Sequence, residues 1–154
     1  MRIALKFEKN STEWTAMHCA GCHQPMIVLE LESIEIDYCL SCSGIWLDAD
    51  ELELLLGNSS RQKAFLASFV IAADTVEKKR KCPICRKFLQ KINCGTQQKT
   101  LIDRCPTNHG LWFDRGELEN ILRDGTLDQE GKILTLFQKM FAHTLTASKQ
   151  RRLT

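Results

Sequence analysis

Cys19-x2-Cys22 is followed, sixteen residues on, by Cys39-x2-Cys42, and Cys82-x2-Cys85 is followed, nineteen residues on, by Cys105-x3-His109. No other feature constrains this chain so tightly. A two-residue gap lets one tight turn present two thiolates to one ion. A second such turn at the far end of a hairpin supplies the other pair. The spacing therefore predicts two structural zinc sites, one zinc ion in each. The first uses Cys19, Cys22, Cys39 and Cys42. The second uses Cys82, Cys85, Cys105 and His109. There Asn108 stands in register with Cys42, and an amide is a poor zinc ligand, so the imidazole one residue on is expected to replace it. Eight cysteines in 154 residues would suggest disulfides in a secreted protein. Knuckle spacing instead points to metal in a reducing cytosol.

The sequence around the knuckles is also written twice. "SCSGIWLDADELELLL" spans residues 41–56 and "TNHGLWFDRGELENIL" spans 107–122. Trp46, Asp48, Glu51, Leu52, Glu53 and Leu56 recur as Trp112, Asp114, Glu117, Leu118, Glu119 and Leu122. Between the knuckles, Ile27, Leu29 and Leu31 and then Ile34, Ile36 and Tyr38 alternate, with the phase broken at Glu32-Ser33, as in a hairpin. The second copy has its turn signal at Asn93-Cys94-Gly95-Thr96, which takes up its three extra residues and puts Cys94 in the turn as a free thiol. Asp48 and Asp114 are expected as N-caps, with Glu51 and Glu117 three residues on. Leu52, Leu55 and Leu56, like Leu118, Ile121 and Leu122, form a helical apolar stripe, stopped at Gly57 and Gly125. Each Trp is expected to cover the knuckle of its own copy. His18, His23 and His143 read as surface residues. Trp14 has no counterpart in the repeat.

A longer amphipathic helix is expected after each copy, the first carrying Phe65, Leu66, Phe69, Val70 and Ala73 on one face. The second carries Ile133, Phe137, Met140 and Phe141. The fold class expected is thus small α+β: two tandem units of hairpin, two knuckles and a short capped helix, each followed by a longer amphipathic helix. Boundaries fall at 1–16 (a strand-like segment), 17–57 (first unit), 58–80 (a helical linker), 81–125 (second unit) and 126–154 (a C-terminal helix and basic tail).

From Cys19 to Leu52, and again from Cys82 to Leu118, the chain resembles the TFIIB-type zinc-finger family of small bacterial proteins. The family pattern runs CPxC, a hairpin, then CxxCxGxWLDxxEL. Ala20 replaces its usual Pro, and "CPTNHGLWF" carries the displaced ligand. The resemblance implies a zinc ribbon fold, in two tandem copies, and little about activity.

Charge is divided unevenly. Residues 1–58 hold three Lys and Arg against ten Asp and Glu, and the rest holds eighteen against nine. Zinc on seven thiolates and one imidazole takes the formal net charge from +2 to about −1, which leaves only the basic second half as an argument for nucleic acid. Four protein ligands per ion leave no open position for a substrate, and no HExxH, P-loop or GxSxG motif is present, so the chain does not read as an enzyme. The reading is a cytoplasmic, non-catalytic zinc module that acts through a protein partner or self-association. The alternatives are a nucleic-acid-binding ribbon, with "EKKRKCPICRK" and "KQRR" as its basic stretches, and a CxxC redox enzyme or chaperone. No apolar run approaches the ~20 residues of a membrane span.

Overall fold

The computed structural model describes residues 2–5, 7–10, 13–31, 33–56, 60–95 and 97–124, and further on 134–135, 138–139 and 141. Hairpins form where the alternation predicts them. β4 (Ile27–Leu31) pairs with β5 (Ile34–Tyr38) through a two-residue turn in which Ser33 adopts φ 66°. β8 (Gln90–Cys94) pairs with β9 (Thr100–Arg104), so the three extra residues do lie in this turn. The turn starts two residues later than expected, at Gly95 instead of Asn93. Cys94 closes β8 opposite Thr100 and is fully buried.

The two copies do not fold as separate beads. β6 (Ile45–Asp48) and β10 (Gly110–Phe113) follow the second knuckle of each copy and pair antiparallel with each other, Trp46 opposite Trp112. This places an approximate two-fold axis between the repeats. One sheet results, in the order β1-β4-β5-β6-β10-β9-β8-β7, with β1 (Arg2–Leu5) and β7 (Val70–Ile71) as its edges. β2 (Phe7–Asn10) and β3 (Glu13–Ala16) form a separate hairpin in which Trp14 lies opposite Lys9.

Strand alternation sends the central side chains to two faces. Ile45, Leu47, Leu111 and Phe113 join Leu29, Ile36, Ile92 and Ile102 on the helix side. Trp46 and Trp112 join the buried cysteines, Met26 and Leu89 on the metal side. Three apolar residues in succession, Ile45-Trp46-Leu47 and Leu111-Trp112-Phe113, are what a strand buried on both faces requires.

The short helices are α1 (Ala49–Leu56) and α3 (Glu117–Arg123). Leu55, Leu118, Ile121 and Leu122 are buried as their spacing predicts. Asp48 precedes α1, and its backbone N–H donates to Glu51 at 3.2 Å. The second start differs from expectation. The N-cap of α3 is Gly116, at φ 84°, and not Asp114. Asp114 opens a turn instead, its carbonyl accepting from Glu117 N–H at 3.1 Å. Arg115-Gly116 supplies a left-handed residue there, which Ala49-Asp50 in the first copy does not. Gly57 and Gly125 lie outside the described residues.

The segment after the first copy is helical only as α2 (Ser60–Ala67), and the expected longer helix ends there. Phe65 is buried, but Val70 and Ile71 leave the helix to pair with Asn93 and Ile92. Two consecutive β-branched residues beside an open strand edge favour pairing over another helical turn. Beyond the second copy, Ile133, Phe137, Met140, His143 and the basic tail fall outside the described residues. Leu134 and Phe141 pack on the main core, and the Phe141 ring lies 5.1 Å from that of Tyr38 in the first copy. Leu134, Gln138 and Phe141 face Ile45, Leu118 and Leu122 across a cavity of about 350 Å³. Leu134, Gln138 and Phe141 therefore lie against residues of both copies.

Candidate metal centres

Each cluster is built by two knuckles whose backbone, more than their side chains, sets the geometry. The first N–H of every knuckle donates five residues ahead: Cys19 to Gln24, Cys39 to Gly44, Cys82 to Lys87, and Cys105 to Gly110, at 2.8–3.0 Å. In three of them a second bond runs back over four residues, from His23, Ser43 and Arg86, each with φ of 63–64°. The fourth is tighter by one residue. Asn108 N–H donates to the Cys105 carbonyl at 3.1 Å, and Asn108 itself takes the left-handed φ of 60°. Asn tolerates that conformation better than most residues. The shortened turn carries His109 into the place that Cys42 holds in the first copy.

In the first cluster the Sγ atoms of Cys19 and Cys42, and of Cys22 and Cys39, are 3.4 Å apart. The Gly21 and Cys22 amides donate to Cys19 Sγ at 3.2 and 3.3 Å. Such donors favour thiolate over thiol. In the second, Cys85 Sγ lies 3.6 Å from Cys105 Sγ, and His109 Nδ1 lies 3.4 Å from Cys105 Sγ. Within each set all four donor atoms fall within 4.8 Å of one another, with two residues buried and two half-buried. The two groups fit two zinc ions.

Sequence reasoning passed over Thr107. Its hydroxyl lies 3.2 Å from Cys105 Sγ, 3.5 Å from Cys85 Sγ and 3.1 Å from His109 Nδ1. Burial works to raise the Cys85 thiol, but the Thr107 hydroxyl and the Lys87 amide outweigh it and bring it down to about 6. Burial wins at Cys82, which is pushed up to about 12. A metal ion supplies the charge that such a buried thiolate needs. Cys94 belongs to neither cluster. Its thiol donates to the Thr100 carbonyl at 3.5 Å, and burial raises it to about 12. That describes an unreactive core residue.

The tryptophans cover the metal knuckles crosswise. A methyl group at Gly44 would lie 2.2 Å from Cζ2 of Trp112, and one at Gly21 would lie 3.3 Å from the same atom. One at Gly110 would lie 2.8 Å from Cζ2 of Trp46 and 2.2 Å from the Leu47 carbonyl. Each Trp thus lies against the other copy's knuckle, contrary to the expectation that it covers its own. Pairing of β6 with β10 forces the exchange, because the two side chains leave the same face from opposed strands. Each indole N–H is satisfied two residues on, Trp46 by Asp48 at 2.6 Å and Trp112 by Asp114 at 3.0 Å. Arg80 adds a further tie, donating to Asp114 at 3.2 Å and to the Gly21 carbonyl of the first copy at 3.4 Å.

The profile of the transcription factor zinc-finger family, of the TFIIB zinc-ribbon type, matches this chain twice, over residues 18–57 and 81–124. Together these segments exceed half the chain. No curated protein and no solved structure matches it.

Proposed function

The chain belongs to the transcription factor zinc-finger family, and we propose that it is a non-catalytic, zinc-held module that acts by binding a protein partner. In this reading Cys19, Cys22, Cys39 and Cys42 hold one zinc ion, and Cys82, Cys85, Cys105 and His109 hold the other. The ions supply folding free energy to two small hairpins that have little core of their own. Four protein donors around each ion leave no vacant position at which water or a substrate could be activated. None of the eight cysteines is in a disulfide, and seven stand in the two metal clusters, a use of cysteine that fits the cytoplasmic location of this reading. No helix among the described residues is long and apolar enough to cross a membrane.

The observation that carries the protein-binding reading is the edge of the sheet. Among the described residues β7 is its outermost strand on the second-copy side, and Val70 and Ile71 are 57% and 63% exposed. Val76, a few residues on, is fully exposed. An apolar strand with an open edge is what an added strand from another chain recognises. Cross-linking mass spectrometry on the zinc-loaded chain in an extract of its own cells tests this. Adducts should concentrate on residues 60–76 and disappear in Val70→Lys/Ile71→Lys. Cross-links scattered over the surface and indifferent to that change would overturn the reading.

A further inference from the structure

The two copies build the same knuckle from different surfaces, and the difference identifies residues the fold does not need. The isolated bridge His18↔Pro25 in the first copy corresponds to Lys81↔Phe88 in the second. The left-handed residue is His23 in one and Arg86 in the other. Residues 15–25 of the first copy contain no Lys or Arg, whereas residues 78–88 of the second contain six and no acid. Zinc geometry and hairpin entry are satisfied either way, so neither the cations nor the phenylalanine is required for folding.

Arg80 is engaged by Asp114 and the Gly21 carbonyl. The other five, Lys78, Lys79, Lys81, Arg86 and Lys87, are exposed, and none makes an ion pair with a described residue. Beside two of them the Phe88 ring stands 56% exposed, with the ammonium groups of Lys81 and Lys79 5.3 and 5.7 Å from its centroid. Two solvent-exposed cation–π contacts are a weak reason to keep a large apolar ring in water. Trp46 and Trp112 are buried, whereas Phe88 is not.

We propose that this face of the second knuckle binds single-stranded nucleic acid, a base stacking on Phe88 while the surrounding lysines and Arg86 neutralise the adjoining phosphates. An aromatic platform within a cationic groove is the chemistry by which single strands are held without sequence preference. An acidic protein segment would use the cations but has no use for the ring. A duplex would offer phosphates but keep its bases stacked. This site uses residues 78–88 and neither Val70 nor Ile71, so the two claims fail independently.

The test is fluorescence anisotropy with the full, zinc-loaded chain and labelled oligo(dT) and oligo(U) of about twelve nucleotides, a duplex of the same length, and polyglutamate as competitor. Both single strands should bind better than the duplex, and a preference between them says whether DNA or RNA is the ligand. Phe88→Ala should weaken binding about 10-fold, and Phe88→Tyr should restore it. Lys79→Gln/Lys81→Gln/Lys87→Gln should lower the slope of log K against log salt by about 2, at ~0.7 per phosphate contact. Zinc content should be unchanged in all of them, as it should be in a chain carrying the first copy's residues at this face (Lys81→His/Phe88→Pro). Val70→Lys/Ile71→Lys should leave oligonucleotide binding intact. Equal affinity for duplex, indifference to Phe88→Ala, or displacement by polyglutamate at matched charge would each overturn the proposal.

Discussion

The first and second ribbons share a backbone and differ in almost every choice that the backbone leaves open. The first closes its cluster with Cys42, the second with His109 on a turn shortened by one residue. The first joins its strands by a two-residue turn, the second by five. Where Val28 faces Asp37 across the first hairpin, a half-buried Lys91 faces the buried Asp103 across the second, at 3.0 Å. The lesson concerns what a small zinc fold fixes and what it frees. Metal geometry, the knuckle backbone and the central strands are held in common. Ligand type, hairpin length, buried charge and outer surface vary around them.

The largest effects should come from what is common. Cys39→Ser should release the first ion and unfold the first ribbon, since structural zinc contributes on the order of 10 kcal/mol. His109→Ala should likewise loosen the second ion. Zinc content by elemental analysis, near two for the parent and near one for either variant, checks both. Next comes a feature unique to the second ribbon. Lys91→Val copies the first ribbon's residue but leaves Asp103 buried without its cation, and should cost roughly 3–5 kcal/mol by denaturant titration. A neutral result would mean that Asp103 is held by its surroundings and not by Lys91.

Asn108 sharpens the ligand comparison at smaller cost. If it serves the turn, Asn108→Ala should lose about 1 kcal/mol through its left-handed φ, Asn108→Gly should be nearly neutral, and both should retain two zinc ions. Loss of metal from Asn108→Ala would reassign the fourth ligand. The smallest effect concerns Glu117. Burial, with the charges of Asp114, Glu77 and Asp103, raises its carboxyl to about 8. A carboxyl raised in the fold favours the native state below its unfolded value near 4.5, and that contribution fades as pH rises through 8. Glu117→Gln keeps an oxygen for the Asp114 N–H, which now donates at 2.8 Å. It should therefore flatten the stability–pH curve between about 4.5 and 8 and raise stability above it by on the order of 1 kcal/mol. An unchanged slope would show that the carboxylate is solvated.

The clusters, the hairpins and the short helices were legible in the sequence because each is a local matter of spacing, alternation or stripe. What the sequence did not disclose is relational. Ile45-Trp46-Leu47 is only four residues with its Asp, too short for periodicity to announce a strand, and nothing in it names Leu111-Trp112-Phe113 as its partner. The exchange of tryptophans follows from that pairing, and so was read the wrong way round. Val70 fitted a helical face by spacing, but the free edge of β8, visible only once the hairpin is built, drew it into a strand. Gly116 shows the same limit at a helix start. Asp114 has the chemistry of a cap, yet its carboxylate is already taken by Trp112 and Arg80.

If the ribbons are one body closed crosswise, damage in one copy should surface in the other, and Trp112→Ala tests that most directly. Trp112 belongs to the second copy but lies against Gly21 and Gly44 of the first. The variant should lose roughly 3–5 kcal/mol. The decisive measurement is pulsed thiol alkylation read by mass spectrometry in the presence of a mild chelator. The account predicts that Cys19, Cys22, Cys39 and Cys42 become labelled faster than in the parent, while Cys82, Cys85 and Cys105 change less. Faster labelling confined to Cys82, Cys85 and Cys105 would contradict it, because it would mean that each tryptophan guards its own copy.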